Sequence, residues 1–397
     1  MFLKDNKQSG VVSLILVVFS MLLITIVTVG FTRVMVKDQQ QANATDLSQS
    51  AYDSAQAGIE DAKRALLYYQ NVCQGYIVGN CVSVANIIGS PSCNEAVIKT
   101  LGDVSGKIGS DGEIKIQTNS SDNDLEQAYT CLKIILNTND YLGELSKDTS
   151  DIIPLSSVSP FDTVKIEWFS SKDLSSSDNK KATLSNIITT PLLATADWAT
   201  TTPPAMRAQL IQFSKKGATL SELDQEIKNG NGSNTLFLYP LSVGSNNLSF
   251  LSDSPRRSNN QSSANSPLPV KCVKDLSATD YSCSVSIKTP EVVDGLEGTV
   301  YLRLTALYNQ ARYRVSLTNS SSSNVVKFNG VQPEVDSTGR ANDLYRRVVS
   351  RVELTDIYFP YPEAEVDTTD GLCKDFVVTD RPNDYNEYLQ NRASCKN

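Results

Sequence analysis

From Val11 to Thr32 the chain carries no charged side chain and is apolar at nearly every position. About 22 residues of this kind are enough to cross the hydrocarbon core of a bilayer as one helix. A secretory signal has a shorter apolar centre, roughly 7–15 residues, followed by a small-residue cleavage site and a break. Neither Pro nor a turn cluster follows here. The run therefore reads as a membrane anchor, or as a helix that is processed and kept, rather than as a discarded signal.

Beyond Arg33 the sequence turns polar but keeps a helical repeat. Leu47, Ala51, Ala55, Ile59, Ala62, Leu66 and Tyr69 recur every three or four residues and align on one helix face. Asp46, Gln49, Asp53, Gln56, Glu60, Asp61 and Lys63 occupy the other. With no Pro, and its first interior glycine at Gly30, the pattern predicts one helix from Val11 to Gln70. Its length is on the order of 90 Å at ~1.5 Å per residue. Such a helix places its first half in lipid or protein and lays its second half on a globular domain.

Downstream the pattern is mostly period two. Phe161–Ser170 alternates Val164, Ile166 and Trp168 with Lys165 and Glu167, a half-buried strand, and Thr235–Leu241 is a further candidate strand without that alternation. Leu125–Leu136 reads as a helix, and Ser170–Lys181 and Ser252–Pro269 as polar loops. In the last third, SVSIK, GTVYLRLTALY and ARYRVSLTN alternate: Val300, Leu302, Leu304 and Ala306, then Tyr313, Val315 and Leu317. Asn309-Gln310 suggests a hairpin between two of these runs. The stretch from Val331 to Leu354 reads as strand, turn through Ser337–Arg340, and strand. An antiparallel meander with one apolar face would give the amphipathic helix its partner. The expected fold is α+β: a long N-terminal helix, half membrane and half amphipathic, packed on an antiparallel β-sheet domain stabilised by disulfides. The expected segments are a leader (1–10), a membrane helix (11–32), its amphipathic continuation (33–70), a large insertion or first β-rich subdomain (71–270) and a β-sheet subdomain with a C-terminal loop (271–397).

Composition narrows the chemistry. At 397 residues the chain is long enough for two or three domains, and its net charge of −8 argues against a nucleic-acid partner. Histidine is absent, which removes Ser-His and Cys-His activation, His-ligated zinc and imidazole acid–base work. The eight cysteines lack CxxC spacing and follow a membrane-targeting start, so they read as disulfides in an oxidising compartment. Pairing near neighbours gives Cys73–Cys81, Cys93–Cys131, Cys272–Cys283 and Cys373–Cys395, although connectivity does not follow from sequence alone.

No nucleotide-binding G-x-x-x-x-G-K-[ST] occurs. Ser177 and Lys180 form S-x-x-K, and Ser177-Asp178-Asn179 spells S-D-N, but both fall in one Ser-rich loop without K-T-G. Asp367, Asp370 and Gly371, and Asp122 with Asp124, fall short of a complete calcium loop and read as solvated turn carboxylates. Asn231, Asn247, Asn260 and Asn319 head N-x-S sequons that carry little weight. No catalytic constellation, cofactor site or metal site emerges, and the expectation is a non-enzyme.

A polar leader with Lys4 and Lys7, then Gly10, then the apolar run, resembles the prepilin signal of type IV pilins. The resemblance implies cleavage between Gly10 and Val11 by the prepilin peptidase and methylation of the new amino terminus on Val11. A second stretch, carried by Ala51, Ala55, Ala57, Gly58, Ile59, Glu60 and Ala62, is similar to the segment after the membrane helix in PilX-type minor pilins. Ser337-Thr338-Gly339 with Arg346, Arg347 and Arg351 is similar to their closing strands. The first two matches cover about the first 70 residues. Pilins usually carry Glu at the fifth position after the cleaved Gly, and this chain has Ile15. That departure speaks against a bulk-subunit role and for a minor or terminal subunit, or for a membrane-retained relative.

The resemblance implies other pilin subunits and the prepilin peptidase as partners, and a bilayer before assembly. The inner membrane and then an extracellular pilus would be its locations, with a host-cell or surface ligand for the outer domain. Ser13, Ser20, Thr25, Thr28 and Gly30 are small or weakly polar positions in the apolar helix. They either bond back to their own helix or permit close packing in an assembly. Cys373–Cys395 resembles the C-terminal disulfide loop of pilins, used in recognition, or is only a staple. The alternative reading is a single-pass anchored extracellular binding protein that does not polymerise.

Overall fold

The computed structural model describes residues 9–102, 108–109, 111–116, 126–188, 193–213, 227, 232–250, 267–295, 299–320 and 324–354, with side chains from Ser13 onward. The leader residues 1–8, most of the 252–269 loop, Asp122 and Asp124, Asn231 and Asn260, and the C-terminal segment with Asp367, Asp370, Gly371, Cys373 and Cys395 lie outside the described residues.

The chain begins with α1 (Ser9–Cys73), α2 (Cys81–Ile88) and α3 (Glu95–Leu101), then β1 (Ile114–Lys115) and β2 (Ala128–Ile135). Next come β3 (Asp140–Leu145), β4 (Ser150–Pro154), β5 (Phe161–Ser170), β6 (Ala205–Phe213), β7 (Gly232–Leu241) and β8 (Asn247–Ser249). The rest are β9 (Leu268–Lys271), β10 (Tyr281–Val293), β11 (Thr299–Leu307), β12 (Ala311–Thr318), β13 (Val325–Val326), β14 (Glu334–Ala341) and β15 (Leu344–Arg351). Two compact units result. One comprises the described parts of Met1–Leu136 with Gln332–Leu354, and the other the described parts of Asn137–Val331. The segments expected at 71–270 and 271–397 do not follow this division, because β14 returns to pair with β2 and carries β15 with it.

In the first unit the 65 residues of α1 form a single helix. Its C-terminal half lies on a four-stranded antiparallel sheet of order β1-β2-β14-β15. Ile59, Ala62, Leu66, Tyr129, Leu132, Ile134 and Val335 share its core with α2 and α3. The helix expected at Leu125–Leu136 is instead the strand β2. Thr338 pairs with Cys131 and Gly339 with Tyr129, so Thr130 is the extra residue of a β-bulge. The bulge spaces the inward residues Tyr129, Leu132 and Ile134 by three and then two, which imitates a helical repeat. The turn expected at Ser337–Arg340 is the interior of β14. Chain reversal occurs at Asn342, whose φ of 48° is left-handed.

In the second unit two sheets enclose one core. One has the order β13-β12-β5-β10-β8, with β3 also on β12, and the other β4-β11-β6-β7-β9. Trp168, Phe161, Ile166, Val285 and Val315 from the first meet Leu210, Leu236, Leu302 and Leu304 from the second. The strands expected at Phe161–Ser170 and Thr235–Leu241 are present as β5 and β7. The hairpin expected at Asn309-Gln310 is not formed: β11 pairs with β4 and β6, and β12 with β3, β5 and β13. The chain crosses between sheets at Tyr308 (φ 76°), whose N–H donates to Asp148 Oδ1 at 3.0 Å. Asn309 Nδ2 donates to the Thr200 and Thr202 carbonyls at 2.9 Å. Crossing lets the apolar rows of β11 and β12 face each other, which a meander cannot do. Pro269, expected in a loop, lies in β9.

Disulfides join Cys73–Cys81, Cys93–Cys131 and Cys272–Cys283. The first closes the α1–α2 connection, the second ties the segment before α3 to β2, and the third links the end of β9 to β10. Each constrains the unfolded chain by removing loop entropy.

Candidate functional site

The candidate site is α1 itself. Gly10 and Val11 lie in its opening turns. From Leu14 to Val36 the large apolar side chains stand exposed, Ile15 at 49%. This part of the helix is long and apolar enough to cross a membrane. The apolar surface continues past the expected boundary at Thr32 through Val34, Met35 and Val36.

The hydroxyls within it are satisfied internally. Ser20 donates to the Val17 carbonyl at 3.0 Å, Thr25 to Leu22 at 2.8 Å and Thr28 to Ile24 at 2.7 Å. Such back-bonding removes the cost of carrying a hydroxyl into an apolar medium. At Gly30 an added Cβ would meet nothing within 4 Å, so no described contact requires that glycine. From Lys37 to Asp46 the helix is polar and exposed all round.

The helix then meets the sheet through small residues. Ala51, Ser54, Ala55, Gly58, Ile59, Ala62, Ala65 and Leu66 are buried. The closest approach is at Gly339 of β14, where an added Cβ would lie 2.2 Å from both the Ala51 carbonyl oxygen and the Ala55 amide nitrogen. One helical turn further, a Cβ on Gly58 would lie 2.4 Å from Ser337 Oγ, 3.2 Å from Tyr129 Cγ and 3.3 Å from Leu132 Cδ1. Backbone thus meets backbone at Gly339, which its missing side chain permits, whereas Gly58 leaves room for the side chains of Ser337, Tyr129 and Leu132. Of the motif residues quoted from sequence, Ala51, Ala55, Gly58 and Ile59 come together here. Glu60 does not: it points to solvent and pairs with Lys63 at 2.7 Å.

Polar contacts border the seam. The Tyr129 hydroxyl donates to Asp61 Oδ2 at 2.8 Å, Arg64 pairs with Asp61 at 3.2 Å, and Arg346 Nε donates to Ser48 Oγ at 2.8 Å. Burial pushes the Tyr129 phenol well above its ordinary range, and the neighbouring Asp61 carboxylate adds to the effect. Sequence reasoning missed Gly339, Ser337 and Tyr129 as seam residues. The available signal was a lone glycine in an alternating strand, which marks close backbone approach.

The other sequence candidates sit apart. Ser177 lies in a short 3-10 turn, Ser176–Asp178, with its hydroxyl bonded to that of Ser175 at 2.6 Å. That is not the helical setting S-x-x-K requires. Among the described residues no group of three or more Cys, Asp or Glu side chains is placed to hold a metal ion. No protein-family model, curated protein or solved structure matches the chain.

Proposed function

We propose that this chain is a minor subunit of a type IV pilus or a related pseudopilus, working by assembly rather than catalysis. The observation that carries the reading is α1: one uninterrupted helix, apolar and exposed in its first half and seated on a sheet through Ala51, Ala55 and Gly58 in its second. On this reading the prepilin peptidase cuts after Gly10 in the inner membrane and Val11 becomes the N-methylated first residue. The apolar helix then leaves the bilayer to pack among the helices of other pilin subunits. The part of the chain beyond the helix is carried outward as a surface domain, with adhesion at a filament tip as its role. Lateral packing is favoured by hydroxyls already bonded within the helix and by the open surface at Gly30.

A second reading is favoured by Ile15, which is apolar and exposed where pilins carry an acid. A single-pass membrane protein with an extracellular binding domain needs no such acid. Mass spectrometry of the mature amino terminus tests the first reading: N-methyl-Val11 is expected, and an intact Met1 overturns it. Immunodetection in sheared surface filaments separates the two, since the second confines the protein to membranes.

A further inference from the structure

On the sheet face turned away from α1, strand register sets Lys115, Ala128, Arg340 and Tyr345 in one row across β1, β2, β14 and β15. Ala128 brings only a methyl group between the two long cations. Lys115, Arg340 and Tyr345 of this row line an open cavity of about 750 Å³, whose wall also includes Asp111, Glu113, Glu126 and Gln127. That volume lies within the range that holds small organic ligands.

Hydrogen bonds and ion pairs tie the wall together. Arg340 Nη2 donates to Glu113 Oε1 and Oε2 at 2.9 and 3.0 Å, and its Nη1 to Glu126 Oε2 at 3.0 Å and the Asn342 carbonyl at 3.2 Å. The Arg340 and Glu113 side chains are only 15% and 14% exposed, so the fork is held from several sides. Tyr345, directly across the strand pair from Arg340, is 58% exposed and offers its ring to the cavity.

The ligand class follows from what this wall can recognise. Its three carboxylates, Asp111, Glu113 and Glu126, outnumber its two cations, and Arg340 is already committed to two of them. A phosphate or sulfate therefore meets no surplus positive charge. The polar lining offers an apolar molecule little to bury. Fixed carboxylate oxygens accept O–H donors, while the Gln127 amide and Lys115 supply donors in turn. An exposed aromatic ring beside them covers a C–H face. Hydroxyls around an edge and C–H groups on a face describe a sugar ring. We propose that this cavity binds a neutral saccharide, its ring stacked on Tyr345 and its hydroxyls donated to the carboxylates that Arg340 holds in place. The proposal goes beyond the filament reading and does not depend on it.

The test is saturation-transfer NMR on the full chain in lipid nanodiscs, which avoids glycosidic detergents. The probes are glucose, galactose, N-acetylglucosamine and lactose at millimolar concentration, with N-acetylneuraminate as the anionic control. Transfer to the ring protons of at least one neutral sugar is expected. Tyr345→Ala should weaken it about tenfold, the worth of one stacked ring, while Tyr345→Phe keeps it. Should Tyr345→Ala lower the melting temperature, Gln127→Ala replaces it, with weakening again expected. Absence of transfer from every neutral sugar overturns the proposal, as does binding of N-acetylneuraminate alone or transfer undiminished in the alanine variant.

Discussion

Gly339 of β14 lies so close beneath Ala55 of α1 that a single added carbon would sit 2.2 Å from the Ala55 amide nitrogen. The obstructing atoms are helix backbone and cannot rotate aside. Gly339→Ala must therefore lift the helix from the sheet, with a cost of about 3 kcal/mol, at the upper end for overpacking. Urea unfolding of the full chain in micelles checks this; an unchanged midpoint would contradict the seam geometry.

Gly58 and Ser337 make a softer contact, because the atom in the way is a side-chain oxygen. Ser337 Oγ is also buried without a hydrogen-bond partner among the described residues. Ser337→Ala alone is expected to be neutral or stabilising, since it removes an unsatisfied hydroxyl. Gly58→Ala alone should destabilise by roughly 1–3 kcal/mol. Combined with Ser337→Ala, it should recover at least ~0.5 kcal/mol in a double-mutant cycle. Additive effects would show that the two residues do not touch.

Tyr129 makes the seam sensitive to alkali. Its phenol is raised above the ordinary 10.0 by burial and by Asp61. Above about pH 10 the unfolded chain releases this proton while the folded one retains it, so stability falls as pH rises. Tyr129→Phe should cost about 1 kcal/mol at neutral pH through the lost hydrogen bond to Asp61. It should also flatten the decline above pH 10. Parallel pH titrations of the two melting temperatures measure both effects, and equal alkaline slopes would refute the assignment.

In the second unit, burial by itself would raise the Glu167 carboxyl, but hydrogen bonds from Arg314 and Lys165 outweigh it and hold it below its usual range. Arg314 Nε donates at 2.7 Å, and the guanidinium also lies 5.0 Å from the centre of the Tyr281 ring. Arg314→Met should destabilise this unit by about 2 kcal/mol at neutral pH, less than a fully buried orphan charge because Lys165 remains. A depressed carboxylate contributes stability above its unfolded pKa and loses it as pH falls. The deficit of the variant should accordingly shrink on acidification, and a deficit constant with pH would exclude the ion pair as its source.

Much of the architecture is local and therefore readable along the chain. The apolar run and the three- to four-residue repeat of Leu47, Ala51, Ala55, Ile59, Ala62 and Leu66 specify α1, because helical hydrogen bonds close within four residues. Alternation identifies β5, β10, β11 and β12 for the same reason: each residue's face depends only on its neighbours. The three disulfides among described residues join cysteines 8, 38 and 11 positions apart, close enough for proximity to indicate them. Periodicity says that a face meets apolar surroundings, not which element supplies them. Only the tertiary structure decides that β11 and β12 belong to different sheets, since the pairing of Leu304 with Ala208 and of Val315 with Ile166 joins residues about a hundred or more positions apart. Only it reveals β2, where the bulge at Thr130 disguises a strand as a helix. And only it explains Gly339, whose missing side chain matters because a helix almost three hundred residues earlier in the chain comes to rest against it.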